Sequence, residues 1–410
     1  MDQDPQSKAK IVILLLVCLV FSVVFAYILT QQQSVLIRSD YFARWYATQK
    51  LVTENRSLYD PQNGREVDSL NGFPNDPIAG NFFYPANVAL LILPLVGISF
   101  PLAHFIWLVV IQSFFIVAIL LISRIEKWPH SSNHLAFFLL LSVFFIPSLQ
   151  NTIWGQFNTI SVISLALVYL CLRSHYYGLA GICALGLTLK PQAMLLTIVF
   201  LLVWAISGRH RWSFIISLGL VGLAAWGLAE WIEPNWVNKF FDWLQIYTNT
   251  YHPQAMLEAF GLSGSVLNIL LILFSLGLSV WNRSFPADSA PFAGTLVFSL
   301  SIWCLAGAVI GMMNMVALPL ALMWLFPYLE KTQPALYRFA LIFYLALYFL
   351  GLAGFIYGLT RPELYGLHTQ LSELAYKIVA PIMTAVLAIP LCLAGRPLPI
   401  MNLFRRKEAL

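Results

Sequence analysis

YPANVALLILPLVGISF, residues 84–100, decides how this chain is threaded. It is apolar enough for a bilayer, but it is short and carries Pro85 and Pro94. A straight helical span needs about 20 apolar residues. If the stretch crossed the membrane, RIEK at 124–127 would fall outside and every later loop would invert. We therefore read 84–100 as a re-entrant or interfacial helix on the external side. Irregular backbone at that depth must be buried in protein or line a cavity.

The rest of the chain sets that context. Its 410 residues are 60% hydrophobic and 10% charged, with a mean hydropathy of +0.78, whereas soluble domains carry about 25% charged residues. The expectation is an all-α polytopic membrane protein, residues 1–410 forming a single integral-membrane domain. Twelve transmembrane spans are expected, at 11–30, 101–123, 135–150, 159–172, 176–189, 192–208, 212–231, 263–281, 292–310, 315–329, 339–358 and 377–395. Ile11–Thr30 is too long for a signal-peptide core and lacks a small-residue cleavage site, so it reads as an uncleaved first span. The spans within 135–208 are the weakest, and broken or tilted helices are expected there.

Charge supports this threading. With the N-terminus inside, internal segments hold Lys8, Lys10, Arg124, Lys127, Arg173, Arg209, Arg211, Arg283, Lys331, Arg338, Arg396, Arg405, Arg406 and Lys407, fourteen of the 23 basic residues. That is the positive-inside pattern, placing both termini in the cytoplasm of a plasma-membrane protein. The net charge of +5 therefore calls for no acidic partner, and no basic run interleaved with aromatics suggests nucleic acid. Cys18, Cys171, Cys183, Cys304 and Cys392 are too scattered for a disulfide framework or a zinc site. No metal is expected; Asp2 and Asp4, at D-x-D spacing, read as polar tail.

Two external loops remain, 31–83 and 232–262. In the second, WVNKFFDWLQIY (236–247) puts Trp236, Phe240 and Trp243 on one helical face, as in a helix lying at the interface. In the first, SDYFARWY (39–46) places Asp40 at the external membrane surface. Asp40 and Arg44 are either i,i+4 helix partners or, functionally, a general base beside a phosphate contact. Ionised aspartate accepts a proton from a hydroxyl.

Lys190, in TLKPQ, precedes Pro191 and marks a break between half-spans. It reads either as a snorkelling lysine or as a point charge for phosphate. Arg38, Arg44, Lys239, His252, Arg361 and His368 are weaker candidates for that role. GQFN (155–158) offers Gln156 and Asn158, either as helix caps or as paired donors and acceptors for sugar hydroxyls. Within the spans, Lys190 and Glu230 are the ionisable exceptions, which argues against an ion-coupled transporter. No nucleotide loop, haem motif or Ser-His-Asp set appears. No cofactor is therefore expected, and a substrate that lives in the bilayer fits better.

Taken in order, SDYFARWY (39–46), SLYDP (57–61), YPANVALLILPL (84–95), GQFN (155–158), GLAGICALGLTLKPQ (178–192) and SGSVLNILL (263–271) resemble glycosyltransferase family 87. This family comprises the polyprenol-phosphate-mannose-dependent mannosyltransferases and their relatives. The resemblance runs from Asp40 to about Leu329. It implies a GT-C-type fold and a metal-independent, inverting transfer of a sugar, mannose by family habit. The donor would be a polyprenyl-phosphate sugar, the acceptor a lipid or glycan, and the active site extracytoplasmic. Asp40 maps onto the family's first-loop acid, the expected base, with Lys190 and Arg44 at the donor phosphate. Tyr41, Trp45 and Tyr84 would stack on sugar or seat the loop at the headgroups, and Asp60 would shape a turn before Pro61. Gln156, Asn158, Asn314 and His252 complete the expected sugar and acceptor contacts. One departure stands out. The family often has tryptophan and histidine in a late external turn, where this chain reads IGMMNMVALP (310–319). Either Asn314 replaces the histidine or that contact is missing. The alternatives from other classes are a lipid or polysaccharide transporter and a non-catalytic scaffold of the same fold.

Overall fold

The computed structural model describes residues 5–31, 37, 39–71, 80–251, 264–306, 312–360 and 374–394. Helices make up most of these residues, with no strand among them. In chain order they are α1 (Pro5–Gln31), α2 (Asp40–Glu54), α3 (Pro61–Asn71), a broken helix (Ala86–Leu95), α4 (Phe100–Glu126), α5 (Ser132–Val143), α6 (Ile146–Ile153), α7 (Asn158–Arg173), α8 (Tyr177–Ala184) and α9 (Pro191–Ile206). There follow α10 (Trp212–Ile232), α11 (Trp236–Tyr251), α12 (Gly264–Asn282), α13 (Ala290–Ala306), a 3₁₀ helix (Met312–Ala317), α14 (Leu318–Thr332), α15 (Pro334–Thr360), a π-helix (Leu374–Val379) and α16 (Ala380–Cys392).

Among the described residues, five helical stretches are long and apolar enough to cross a bilayer. They are Phe100–Glu126, Arg209–Ile232, Met312–Thr332, Pro334–Gly354 and Leu374–Cys392, and the bent pair α5–α6 makes a sixth if counted as one span. The bend is 55° and falls where Pro147 opens α6, since proline cannot continue the hydrogen-bond ladder of the helix before it. Over 159–208, where short spans were expected, α7 and α9 have 16 residues each and α8 has eight. The break between α8 and α9 falls at Lys190-Pro191.

Burial separates the helices into two groups. Nearly every described side chain of α13 and most of α14 are buried, as befits helices apolar all round at the centre of a bundle. By contrast, α10 buries only Phe214 and Ala229 and exposes Ile216, Leu220, Leu223 and Trp226. Such apolar exposure suits acyl chains, not water. Close approach is built into α8. A Cβ on Gly181 would stand 2.2 Å from the Phe214 carbonyl oxygen of α10, so the two backbones meet there only because the residue is glycine.

A second, smaller apolar cluster lies beside the bundle. It joins α2, the turn at 58–59, residues 82–100, the start of α4, Phe157 and Leu189. It also draws in Trp236, Phe240 and Trp243 from one face of α11, while Phe241 and Ile246 stay exposed. The stretch 84–100 forms the ten-residue broken helix Ala86–Leu95 and then α4. The Trp45 indole N–H donates to the Leu95 carbonyl at 3.0 Å, and this fastens the broken helix to α2.

Candidate active site

Ser39 caps α2: its hydroxyl oxygen accepts from the Phe42 N–H at 3.2 Å. Asp40 therefore stands in the first turn of the helix, where the dipole favours a negative charge. No ion pair joins Asp40 to Arg44 among the described residues. Instead the Arg44 guanidinium lies over the Tyr84 ring, 5.1 Å from its centroid. Arg44 is buried, and its Nε and one terminal nitrogen have no hydrogen-bond partner among the described residues. Buried cation donors left unmatched are costly, so this guanidinium is set up to receive an anion or acceptor oxygen.

Lys190 approaches the same ring, with Nζ 6.0 Å from the centroid. It donates to Gln156 Oε1 at 2.6 Å, and the Tyr84 hydroxyl donates to that same oxygen at 3.2 Å. Lys190 sits in the turn between α8 and α9, outside both helices. Burial pushes its ammonium down to about 7, with Asp40 acting against that and Arg44 with it. Asp40, Arg44 and Lys190 thus share one electrostatic neighbourhood around Tyr84. Helix α2, Tyr84 and the break before α9, far apart in the chain, bring them together.

GQFN builds the wall of this neighbourhood. Gly155 has φ +62°, the left-handed region that glycine occupies freely. A Cβ there would stand 2.8 Å from the Tyr41 Cβ. Gly155→Ala is expected to lower stability by about 1–3 kcal/mol through backbone strain and displacement of α2. Thermal unfolding in detergent checks this, with Gly219→Ala, where a Cβ meets nothing within 4 Å, as the silent control.

Tyr41 is fully buried and stacks on Trp107, with centroids 5.0 Å apart and 8° between planes. Tyr41 and Trp45 therefore pack α2 against α4 and the broken helix. Asn158 opens α7, and its amide donates to the Met313 carbonyl at 2.9 Å. This links GQFN to the 3₁₀ helix that carries Asn314. The side-chain oxygens of Asn158 and Asn314 are buried without a hydrogen-bond partner among the described residues. His252 lies outside the described residues, as do Arg38, Arg361 and His368. Asp60 shapes its turn: its Oδ1 accepts from the Gln62 N–H at 2.8 Å.

Sequence reasoning missed several residues. Within the stretches expected to span the membrane, His104 and Lys377 are buried as well. His104 stacks between Tyr41 and Phe100; its ring nitrogens have no hydrogen-bond partner among the described residues. It lies one turn before Trp107 on α4, and that spacing was the available signal. Glu233, at the start of the 232–262 loop, is also buried. Deeper in the bundle, Gln112, Ser148, Asn151 and Thr159 line a cavity of about 10 Å³, room for one water.

The family model of glycosyltransferase family 87 matches residues 82–305. The match takes in Tyr84, Gln156, Asn158, Lys190 and Glu233; Asp40, Arg44 and Asn314 lie beyond its ends. Comparisons with curated proteins and with solved structures give no match. The matched stretch covers more than half of the 410 residues, and it carries the Tyr84–Gln156–Lys190 contacts in a chain of apolar helices: the chain belongs to glycosyltransferase family 87.

Proposed function

We propose that this glycosyltransferase moves mannose from a polyprenyl-phosphate-linked donor to a lipid or glycan acceptor, with inversion and without a metal. The observation that carries this reading is the buried, partly unmatched Arg44 guanidinium beside Lys190, within electrostatic reach of Asp40. Asp40 takes the proton of an acceptor hydroxyl. The freed oxygen attacks the anomeric carbon as the carbon–oxygen bond to phosphate breaks on the opposite face. Polyprenyl phosphate leaves with the bonding electrons, and Lys190 and Arg44 stabilise its charge. Such a leaving group needs no general acid, so one carboxylate suffices.

The reading places the site at the extracytoplasmic face of the plasma membrane, in a GT-C-type fold of twelve spans with cytoplasmic termini. In it, 31–83 supplies the catalytic rim and 84–100 is re-entrant or interfacial. The ten-residue length of Ala86–Leu95 supports this, being about half of what a span requires. Asn158 and Asn314 turn oxygens towards sugar or acceptor hydroxyls.

Radiolabelled polyprenyl-phosphate mannose, incubated with the purified protein and membrane lipids, tests the reading. Label is expected to pass to a lipid or glycan product, and none to pass from a nucleotide sugar when no polyprenyl phosphate is present. Direct transfer from the nucleotide sugar, or none from any lipid-linked sugar, would overturn it.

A further inference from the structure

Glu233 follows α10 at the start of the 232–262 loop and is 2% exposed. A carboxylate this buried is costly unless its oxygens are matched, and here both are. Oε1 accepts from the Ser57 hydroxyl at 2.8 Å and from the Lys239 ammonium of α11. Oε2 accepts from the Leu58 N–H at 2.7 Å. One carboxylate thus ties the 232–262 loop to the 57–59 turn, across 175 residues of chain.

The turn it holds leads to the donor site. The Tyr59 carbonyl accepts from the Trp243 indole at 2.7 Å, a second fastening to α11. The Tyr59 hydroxyl donates to the Tyr84 carbonyl at 2.7 Å. Burial, reinforced by Glu233, holds that hydroxyl well above the usual tyrosine range, so it remains a donor. Tyr84 in turn donates to Gln156 Oε1, which also receives Lys190.

We propose that Glu233 is a positioning residue for the donor site, setting the stance of Lys190 through the 57–59 turn, Tyr59, Tyr84 and Gln156. The proposal rests on Lys190 being the donor-phosphate contact. A local loop staple would have the same bonds around Glu233 but no effect beyond residue 60. Glu233→Gln is the informative change: it keeps the shape and turns one acceptor into a donor facing donors. Glu230→Gln is the control, since among the described residues Glu230 accepts only from the Asn235 N–H at 2.7 Å.

Two readouts are taken on the full-length protein. In transfer assays, Glu233→Gln is expected to raise the donor KM about tenfold, what one well-made hydrogen bond is worth, with kcat and the acceptor KM within about twofold. Tyr59→Phe should do the same, and the double variant should show one tenfold effect, not the product. In hydrogen exchange, amides at 84–88 and 155–158 should exchange faster in Glu233→Gln and not in Glu230→Gln. Exchange changes confined to 57–60 and 233–243, or multiplicative KM effects, would overturn the proposal. If the wild type transfers nothing from any lipid-linked sugar while exchange still spreads to 155–158, the transfer reading falls and the relay stands. Should Glu233→Gln fail to fold, Lys239→Met removes one contact and serves in both readouts, with a KM rise of about threefold.

Discussion

Asp40→Asn is expected to lower kcat for sugar transfer by about 10²–10⁴-fold, the usual worth of a general base, with donor KM nearly unchanged. Asparagine has the same shape but no basic oxygen. The fold should survive, because the cap of α2 is Ser39 and the loss of a charge in the first turn costs only about 0.3–1 kcal/mol. Donor binding should survive too, since Arg44 and Lys190 remain. Loss of Asp40 also removes the charge that supports the protonated Lys190, so the two proteins are compared over a pH series and not at a single pH. A variant as active as wild type would take the base assignment from Asp40 and pass it to Asp60, the next aspartate in the rim.

Lys190→Ala is expected to cost about 10²–10³-fold in kcat/KM, in the range for removing one preorganised donor to a developing charge. The pH profile makes this sharper. Lys190 in the free enzyme is held down to about 7, so it is protonated below that pH and neutral above it. The diester phosphate of the donor does not titrate nearby. Donor kcat/KM should therefore fall above pH 7, approaching tenfold per pH unit. Lys190→Arg keeps its charge across the range, so whatever activity it retains should lose this descending limb. A wild-type profile flat from pH 6 to 9, or a limb that persists in Lys190→Arg, would remove Lys190 from the phosphate. Gln156→Leu is a milder probe: it deletes the oxygen that Lys190 and Tyr84 share and should shift the limb with a smaller loss of rate.

Much of the site was legible residue by residue. Asp40, Arg44, Tyr84, Gln156 and Lys190 each stand out as polar or aromatic groups in or beside apolar segments, where such groups need a reason. Their motifs pointed to the family that the match over 82–305 establishes. What those residues touch was less legible. Tyr41 and Trp45 suggested a stacking rim, and the structure sinks both into the packing of α2 against α4 and the broken helix. Arg44 was open to pairing with Asp40 one turn away, and it lies over Tyr84 instead. His104 and Glu233 escaped notice because a lone histidine in an apolar helix and an acid in a loop carry no periodic signature.

The division follows from the physics. The sequence by itself determined the all-helical class and the membrane environment, because hydropathy and charge bias sum over windows of twenty residues and need no partner. It also pointed to the helix break at Lys190-Pro191, since proline acts on its own backbone, whereas the break at Pro147 was not read from it. The tertiary structure alone decided that Tyr84 is shared by Arg44 and Lys190, and that Glu233 holds the turn before Tyr59. These contacts join segments tens to hundreds of residues apart. Each is selected by the need of a buried polar group for a partner, and the packed fold settles which partner lies within reach.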